Sequence, residues 1–276
     1  GRMNLPLVRD PVLPKDADYL MMECTYGDKT HRDPDQAYEE LADVVKRTVK
    51  RGGKVIIPSF AVGRTQEIVY QLNRLIEEGE VPRIPVFVDS PLAVNVTDVF
   101  RMFPQYFDQE AHQFMRENHQ RALYFDGLTY TRSVDESKAI NEIKEPVVII
   151  SASGMAETGR ILHHLKNNIE DERNTIMIVS WQAPNTLGRR LAEQEKHIRI
   201  FGENYYRKAE VVTIGGLSAH AGQNMLMEYA LESRSTIQRI FLVHGEDRGA
   251  TPLMEKLHEA GMDNISYPER NATAEI

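Results

Sequence analysis

Two histidines and one glutamate stand where a parallel sheet would place reactive groups. Val211-Val212-Thr213-Ile214 runs into Gly215-Gly216-Leu217-Ser218-Ala219-His220, and Ile240-Phe241-Leu242-Val243 runs into His244-Gly245-Glu246. A third run, Asp18-Tyr19-Leu20-Met21-Met22, ends in Glu23-Cys24-Thr25-Tyr26-Gly27. Short segments that are apolar along their length read as strands covered on both faces. In open α/β sheets, groups just past the carboxyl ends of strands line the crevice where ligands bind. Two imidazoles delivered there from separate strands can meet on one metal ion or one phosphate. Zinc takes three or four ligands, and the sequence contains neither HxHxDH nor HExxH. On ligand count, the chain by itself does not build an ordinary catalytic zinc site.

A second group of residues suits anions. Ser59 to Arg64, Ser151 to Arg160 and Asn185 to Arg190 are strand-to-helix turns rich in small residues and arginine. Small residues let the backbone approach a ligand, and helix N-terminal amides favour negative charge. An arginine beside such a turn adds a charge-assisted phosphate contact. Neither GxGxxG nor GxxxxGK[ST] occurs, so a dinucleotide or P-loop site has no support. Of the other histidines, His163 and His164 lie on one helix pointing in different directions, one solvated and one packed. His31, His112, His119, His197 and His258 stand alone and read as surface residues.

The elements that must position these groups follow from caps and periodicity. A helix begins with Asp33 as N-cap, Pro34 in the first turn and Gln36 in a capping box. Tyr38, Leu41, Val45 and Val49 form its apolar stripe, and Gly52-Gly53 stops it. Ser133 and Glu136 form a second capping-box pair. Strand-like runs at 55–57, 86–88, 147–150, 176–179 and 198–201 alternate with helical segments. Such alternation with short connections predicts an α/β fold: mostly parallel sheets flanked by helices. At 276 residues the chain can bury one large or two ordinary cores. Its net charge of −8 argues against bulk electrostatic attraction to nucleic acid while permitting a local basic groove. Cys24 is the single cysteine, which leaves no disulfide framework and no cysteine zinc cage. With no membrane-length apolar run and no signal peptide, the expected location is the cytoplasm, away from membrane.

These segments resemble the β-CASP branch of the metallo-β-lactamase superfamily, RNA-processing nucleases that include RNase J-type enzymes and the cleavage and polyadenylation endonuclease. Glu23-Cys24-Thr25-Tyr26-Gly27 looks like motif A, Gly216-Leu217-Ser218-Ala219-His220-Ala221 like motif B, and Val243-His244-Gly245-Glu246 like motif C. Pro58 to Glu67, Ser151 to Gly159 and Thr186 to Leu191 also resemble bacterial members. The resemblance implies that His244 is a zinc ligand, that His220 is a general acid at the scissile phosphate, and that Glu23 holds His220 by a hydrogen bond. An imidazole near its unperturbed pKa of about 6.5 can protonate a leaving oxygen. Ser59, Arg64, Ser153, Gly154, Arg160, Arg189 and Arg190 are then the expected contacts to RNA. Two zinc ions are expected in the full-length enzyme, absent or partial in this chain.

Two departures accompany the resemblance. The family's N-terminal half, with its HxHxDH cluster, is missing, so the chain reads as the C-terminal part of a longer enzyme. Relatives usually carry an acid two positions after the motif B histidine, where this chain has Gly222. The expected organisation is a metallo-β-lactamase segment at 1–30, a β-CASP domain at 31–207 and a C-terminal metallo-β-lactamase segment at 208–276. The expected function is that of a zinc-dependent ribonuclease hydrolysing RNA phosphodiester bonds, inactive as this segment alone, with a homodimer possible. The alternatives are a non-catalytic RNA-binding or assembly module of β-CASP type and, with least support, a nucleotide-dependent transferase.

Overall fold

Strands and helices alternate through the chain in the order that its apolar runs and caps dictate. The computed structural model describes residues 2–30 and 34–274. Its elements are β1 (Tyr19–Glu23), α1 (Pro34–Lys50), β2 (Val55–Pro58), α2 (Arg64–Glu77), β3 (Val86–Val88), α3 (Pro91–Met102), α4 (Gln109–Glu117), β4 (Leu128–Tyr130), α5 (Val134–Glu142) and β5 (Val148–Ser151). They continue with α6 (Ile161–Asn168), β6 (Thr175–Ile178), α7 (Leu187–Ala192), β7 (His197–Ile200), β8 (Glu203–Tyr206), β9 (Glu210–Thr213), α8 (Gln223–Leu231), β10 (Arg239–Val243), α9 (Asp247–Glu259) and β11 (Ile265–Ser266). Two compact units result, one of residues 6–9 and 33–217, the other of 1–5, 10–32 and 218–276.

The larger unit is built on a parallel six-stranded sheet in the order β4-β3-β5-β2-β6-β9. Side chains alternate between the faces of a strand, and β2 shows the consequence. Val55 and Ile57 join the core with α1 and α2, whereas Ile56 joins Ile161 and Leu165 of α6 on the other face. Both faces are therefore covered, which is why the strand sequences are continuously apolar. On α1, Leu41 and Val45 are fully buried, with Tyr38 and Val49 packed partly against the same core. The expected N-cap Asp33 lies outside the described residues. The capping box at Ser133 and Glu136 forms in full at the start of α5. Of the paired histidines on α6, His164 is buried and His163 exposed, as opposite-facing neighbours must be.

The chain differs from expectation after Gly202. β7 and β8 pair only with each other, as an antiparallel hairpin. β9 continues the large sheet along β6, with Val211 opposite Ile176 and Thr213 opposite Ile178. Glu210 fastens that edge through ion pairs to Arg47 at 2.5 Å and Arg51 at 2.7 Å. By compactness this unit runs through Leu217. The smaller unit holds a parallel sheet in the order β1-β10-β11, backed by α8 and α9 through Leu226, Ala230, Ala250, Leu253 and Leu257. The two histidine segments therefore follow strands of different sheets, whereas β1, which ends in Glu23, is the direct neighbour of β10.

Candidate functional site

Parallel pairing of β1 with β10 sets Glu23 opposite Val243, so the glutamate and His244 leave the sheet at the same end. His220 arrives on a turn of the same unit. Arg2 pins that turn, donating its backbone N–H to Ala219 O at 3.0 Å and Nη1 to Ser218 O at 3.3 Å. Glu23 completes it: Oε2 lies 2.5 Å from His220 Nδ1, and Oε1 accepts from the Ala221 N–H at 3.2 Å. Burial alone would raise the Glu23 pKa. The hydrogen bond and charge of His220, with the Ala221 amide, outweigh it and hold the carboxyl below its ordinary value. The His220 and His244 rings stack with centroids 5.0 Å apart.

Thr25 fixes the second imidazole. Its hydroxyl donates to His244 O at 2.8 Å, so its oxygen accepts from His244 Nδ1 at 3.2 Å. Nε2 of His244 is then the nitrogen that carries the lone pair a metal requires, and His244 is exposed. Close packing holds this end of β10 in place. A Cβ on Gly245 would stand 2.4 Å from Cys24 Sγ and 2.9 Å from Cys24 C. The Cys24 thiol is buried, and burial first, then the neighbouring Glu23 charge, push it up to about 11. It is a packing group with no nucleophilic character at neutral pH.

Glu23, His220 and His244 offer ligand atoms within 4.8 Å of one another, the one such group among the described residues. Imidazole is a good zinc ligand. Because both oxygens of Glu23 are occupied by His220 and Ala221, the carboxylate orients and His244 is the residue placed to coordinate. The set fits part of a zinc site, one ligand beside a carboxylate–histidine pair, and falls short of the three protein ligands typical of a catalytic centre.

In the larger unit the structure brings the three Gly/Ser/Arg turns together at the carboxyl ends of β5, β2 and β6. Ser59 N–H donates to Ser151 O at 3.0 Å, Gln182 Nε2 to Gly154 O at 3.0 Å, and Gly188 N–H to Met155 O at 2.9 Å. The individual residues fare differently. Ser59 and Arg64 are buried. Ser59 accepts from Thr65 Oγ1 at 3.1 Å, and Arg64 is neutralised by Glu67 at 2.5 Å, by charge alone without hydrogen-bond alignment. Gly154 is small for an internal reason, since a Cβ there would meet the Phe60 ring at 2.8 Å. Ser153 accepts from the N–H groups of Glu157 and Thr158 within its own turn. Arg160, Arg189 and Arg190 keep some exposure, yet each pairs with an acid: Asp89 at 2.7 Å, Glu193 at 2.6 Å and Glu195 at 2.8 Å.

Asp89 is the hub that sequence reasoning missed. It is fully buried just past β3, and its Oδ2 accepts from His164 Nε2 at 2.7 Å and Ser137 Oγ at 2.6 Å. Its Oδ1 accepts from Arg160 Nη1 at 2.7 Å and from Thr131 Oγ1. Burial opposes ionisation, but His164, Ser137, Thr131 and Arg160 prevail and hold the carboxyl far below the ordinary range. The available signal was an acid ending an apolar strand, the same signal that marks Glu23.

Two family domains match this chain in succession. Residues 65–191 match the Beta-Casp domain, and residues 204–268 match the Zn-dependent metallo-hydrolase RNA specificity domain. The chain is 37% identical over 265 residues to Ribonuclease TTHA0252 of Thermus thermophilus, covering 95% of itself and 59% of that protein. It is 34% identical to Transcription termination factor FttA of Thermococcus kodakarensis, over 87% of itself and 38% of the relative. It is also 34% identical to an RNase J-like protein of Methanocaldococcus jannaschii, over 83% of itself and 52% of the relative. The chain thus spans 38% to 59% of the length of these relatives. Adjoining domain matches, relatives of one kind along most of the chain, and an α/β fold of parallel sheets show that it belongs to the β-CASP family of the metallo-β-lactamase superfamily.

Proposed function

We propose that the chain supplies the proton donor, one zinc ligand and RNA contacts of a zinc-dependent ribonuclease. The observation that carries this reading is the 2.5 Å contact between Glu23 Oε2 and His220 Nδ1 beside the exposed His244 ring. Hydrolysis forms a bond from a water oxygen to phosphorus and breaks the bond from phosphorus to a ribose oxygen. Glu23 holds the His220 ring through Nδ1, which leaves Nε2 to give its proton to the departing oxygen. His244 Nε2 serves as one ligand to zinc, which when bound polarises phosphoryl oxygens and lowers the pKa of water. The RNA backbone is assigned to the converged turns, where Arg189 and Arg190 can exchange surface carboxylates for phosphates at little cost, because exposed ion pairs are worth about 0–1 kcal/mol. A location in the cytoplasm fits this role, and no helix among the described residues is long and apolar enough to cross a membrane. With Glu23 and His220 engaged with each other, His244 alone gives too few ligands for turnover, so the purified chain with zinc is expected not to cleave RNA.

Glu23→Gln in the zinc-loaded active enzyme tests the reading. Turnover should fall by about 10–100-fold while RNA affinity changes little, because the pair acts mainly in the transition state. An equal loss of binding and turnover would refute it. The alternative, a non-catalytic RNA-binding module, draws on Gly222, whose backbone bridges to Tyr26 without offering a side chain. An active enzyme retaining stoichiometric zinc would remove that alternative.

A further inference from the structure

A cleft of about 1190 Å³ opens in the larger unit, lined in part by Arg83, Arg101, Arg116, Arg121, His119 and Tyr124. Its residues precede β3 and β4, whereas the converged turns follow the carboxyl ends of β2, β5 and β6. In a parallel sheet these are opposite ends of the strands, and no described residue lining the cleft belongs to the converged turns. The cleft is therefore distinct from the turn site.

The cleft is built on fixed parts. Leu123 and Phe125 anchor the wall in the core, and Arg101 braces it through the carbonyls of Ala122 at 3.1 Å and Leu123 at 2.8 Å. Gln120 ties it to Asn73 at 2.5 Å and Glu77 at 3.3 Å. Arg83 pairs with Glu77 and Arg101 with Asp98. The side chains of Arg116 and Arg121 are exposed and have no hydrogen-bond or ion-pair partner among the described residues. Each arginine of the turn site, by contrast, has an acid of its own. Tyr124 is 49% exposed on the same wall, and Phe103 and Tyr106 stand exposed beside the lining Pro104. Unneutralised arginines interleaved with exposed rings are what a single strand of nucleic acid needs, phosphates on the cations and bases on the rings. The volume exceeds the roughly 300–1,000 Å³ of small-molecule pockets, which favours a polymer segment.

The geometry points to a second RNA site in this cleft, holding a single-stranded segment by its phosphates at Arg116 and Arg121 with a base against Tyr124. This rests on RNA being the ligand of the chain. The test is fluorescence anisotropy of the purified chain with a labelled oligouridylate across a salt series, with melting curves to confirm folding. R116A/R121A should lower affinity roughly tenfold and reduce the salt slope by about 1.4, at about 0.7 per single-strand phosphate contact. Tyr124→Ala should lower affinity about fivefold or more. Unchanged affinity and slope in R116A/R121A, with weakened binding in Arg190→Ala, would overturn the cleft and leave the RNA reading standing. Failure of the wild-type chain to bind the oligouridylate would overturn both. If R116A/R121A abolished tripolyphosphate binding while Tyr124→Ala left RNA affinity intact, the cleft would be a plain anion site and the proposal would fall.

Discussion

Replacing Asp89 with asparagine keeps the shape of a fully buried side chain and removes its charge. The two carboxylate oxygens each accept from two donors, His164 and Ser137 on one, Arg160 and Thr131 on the other. An amide NH₂ on the Oδ1 side leaves the Arg160 guanidinium without its acceptor, and on the Oδ2 side it forces His164 and Ser137 to turn from donors to acceptors. Arg160, whose side chain is 18% exposed, also loses its counter-charge. Removing one partner of a buried charged pair costs about 3–5 kcal/mol. At about 2–4 °C per kcal/mol for a unit of this size, the melting temperature should fall by roughly 6–20 °C. The sign with pH follows from the depressed carboxyl. Its stabilisation is fully present above the unfolded aspartate value of about 3.9 and is lost as pH falls through the folded value. Calorimetry of wild type and Asp89→Asn should therefore show a constant gap from pH 5 to 8 that narrows in stronger acid. A gap under about 2 °C at pH 7, or one that persists unchanged in acid, would refute the hub.

Thr25→Val preserves shape but removes the oxygen that accepts from His244 Nδ1. Zinc affinity of the loaded enzyme, measured by competition with a chelator, should fall by about 10–100-fold, and an unchanged affinity would show that the hydroxyl does not set the tautomer. Gly245→Ala forces a methyl onto Cys24, so thermal melts should report a loss of about 1–3 kcal/mol; a neutral result would mean that the 24–27 turn can retreat.

The two interacting regions of this protein were unequally legible. Local signals fixed the strands and caps, because a continuous apolar run and a Ser-x-x-Glu pair act within a few residues of themselves. Glu23, His220 and His244 were visible as polar residues ending apolar strands, and their meeting follows once β1 and β10 pair. What the sequence could not convey is which partner each charge takes. The arginines at 64, 160, 189 and 190 look like phosphate ligands in the sequence, yet folding supplies each with a carboxylate, from as near as Glu67 to as far as Asp89. Arg116 and Arg121 look like ordinary helix-end and loop cations, and only the packing of Leu123 and Phe125 turns them onto one cleft wall. Likewise β9 carries a histidine segment behind it in sequence but pairs with β6, because ladder register and the Glu210 ion pairs are long-range. Secondary structure is determined by neighbours along the chain; charge neutralisation is determined by neighbours in space, and those exist only after the sheets have formed.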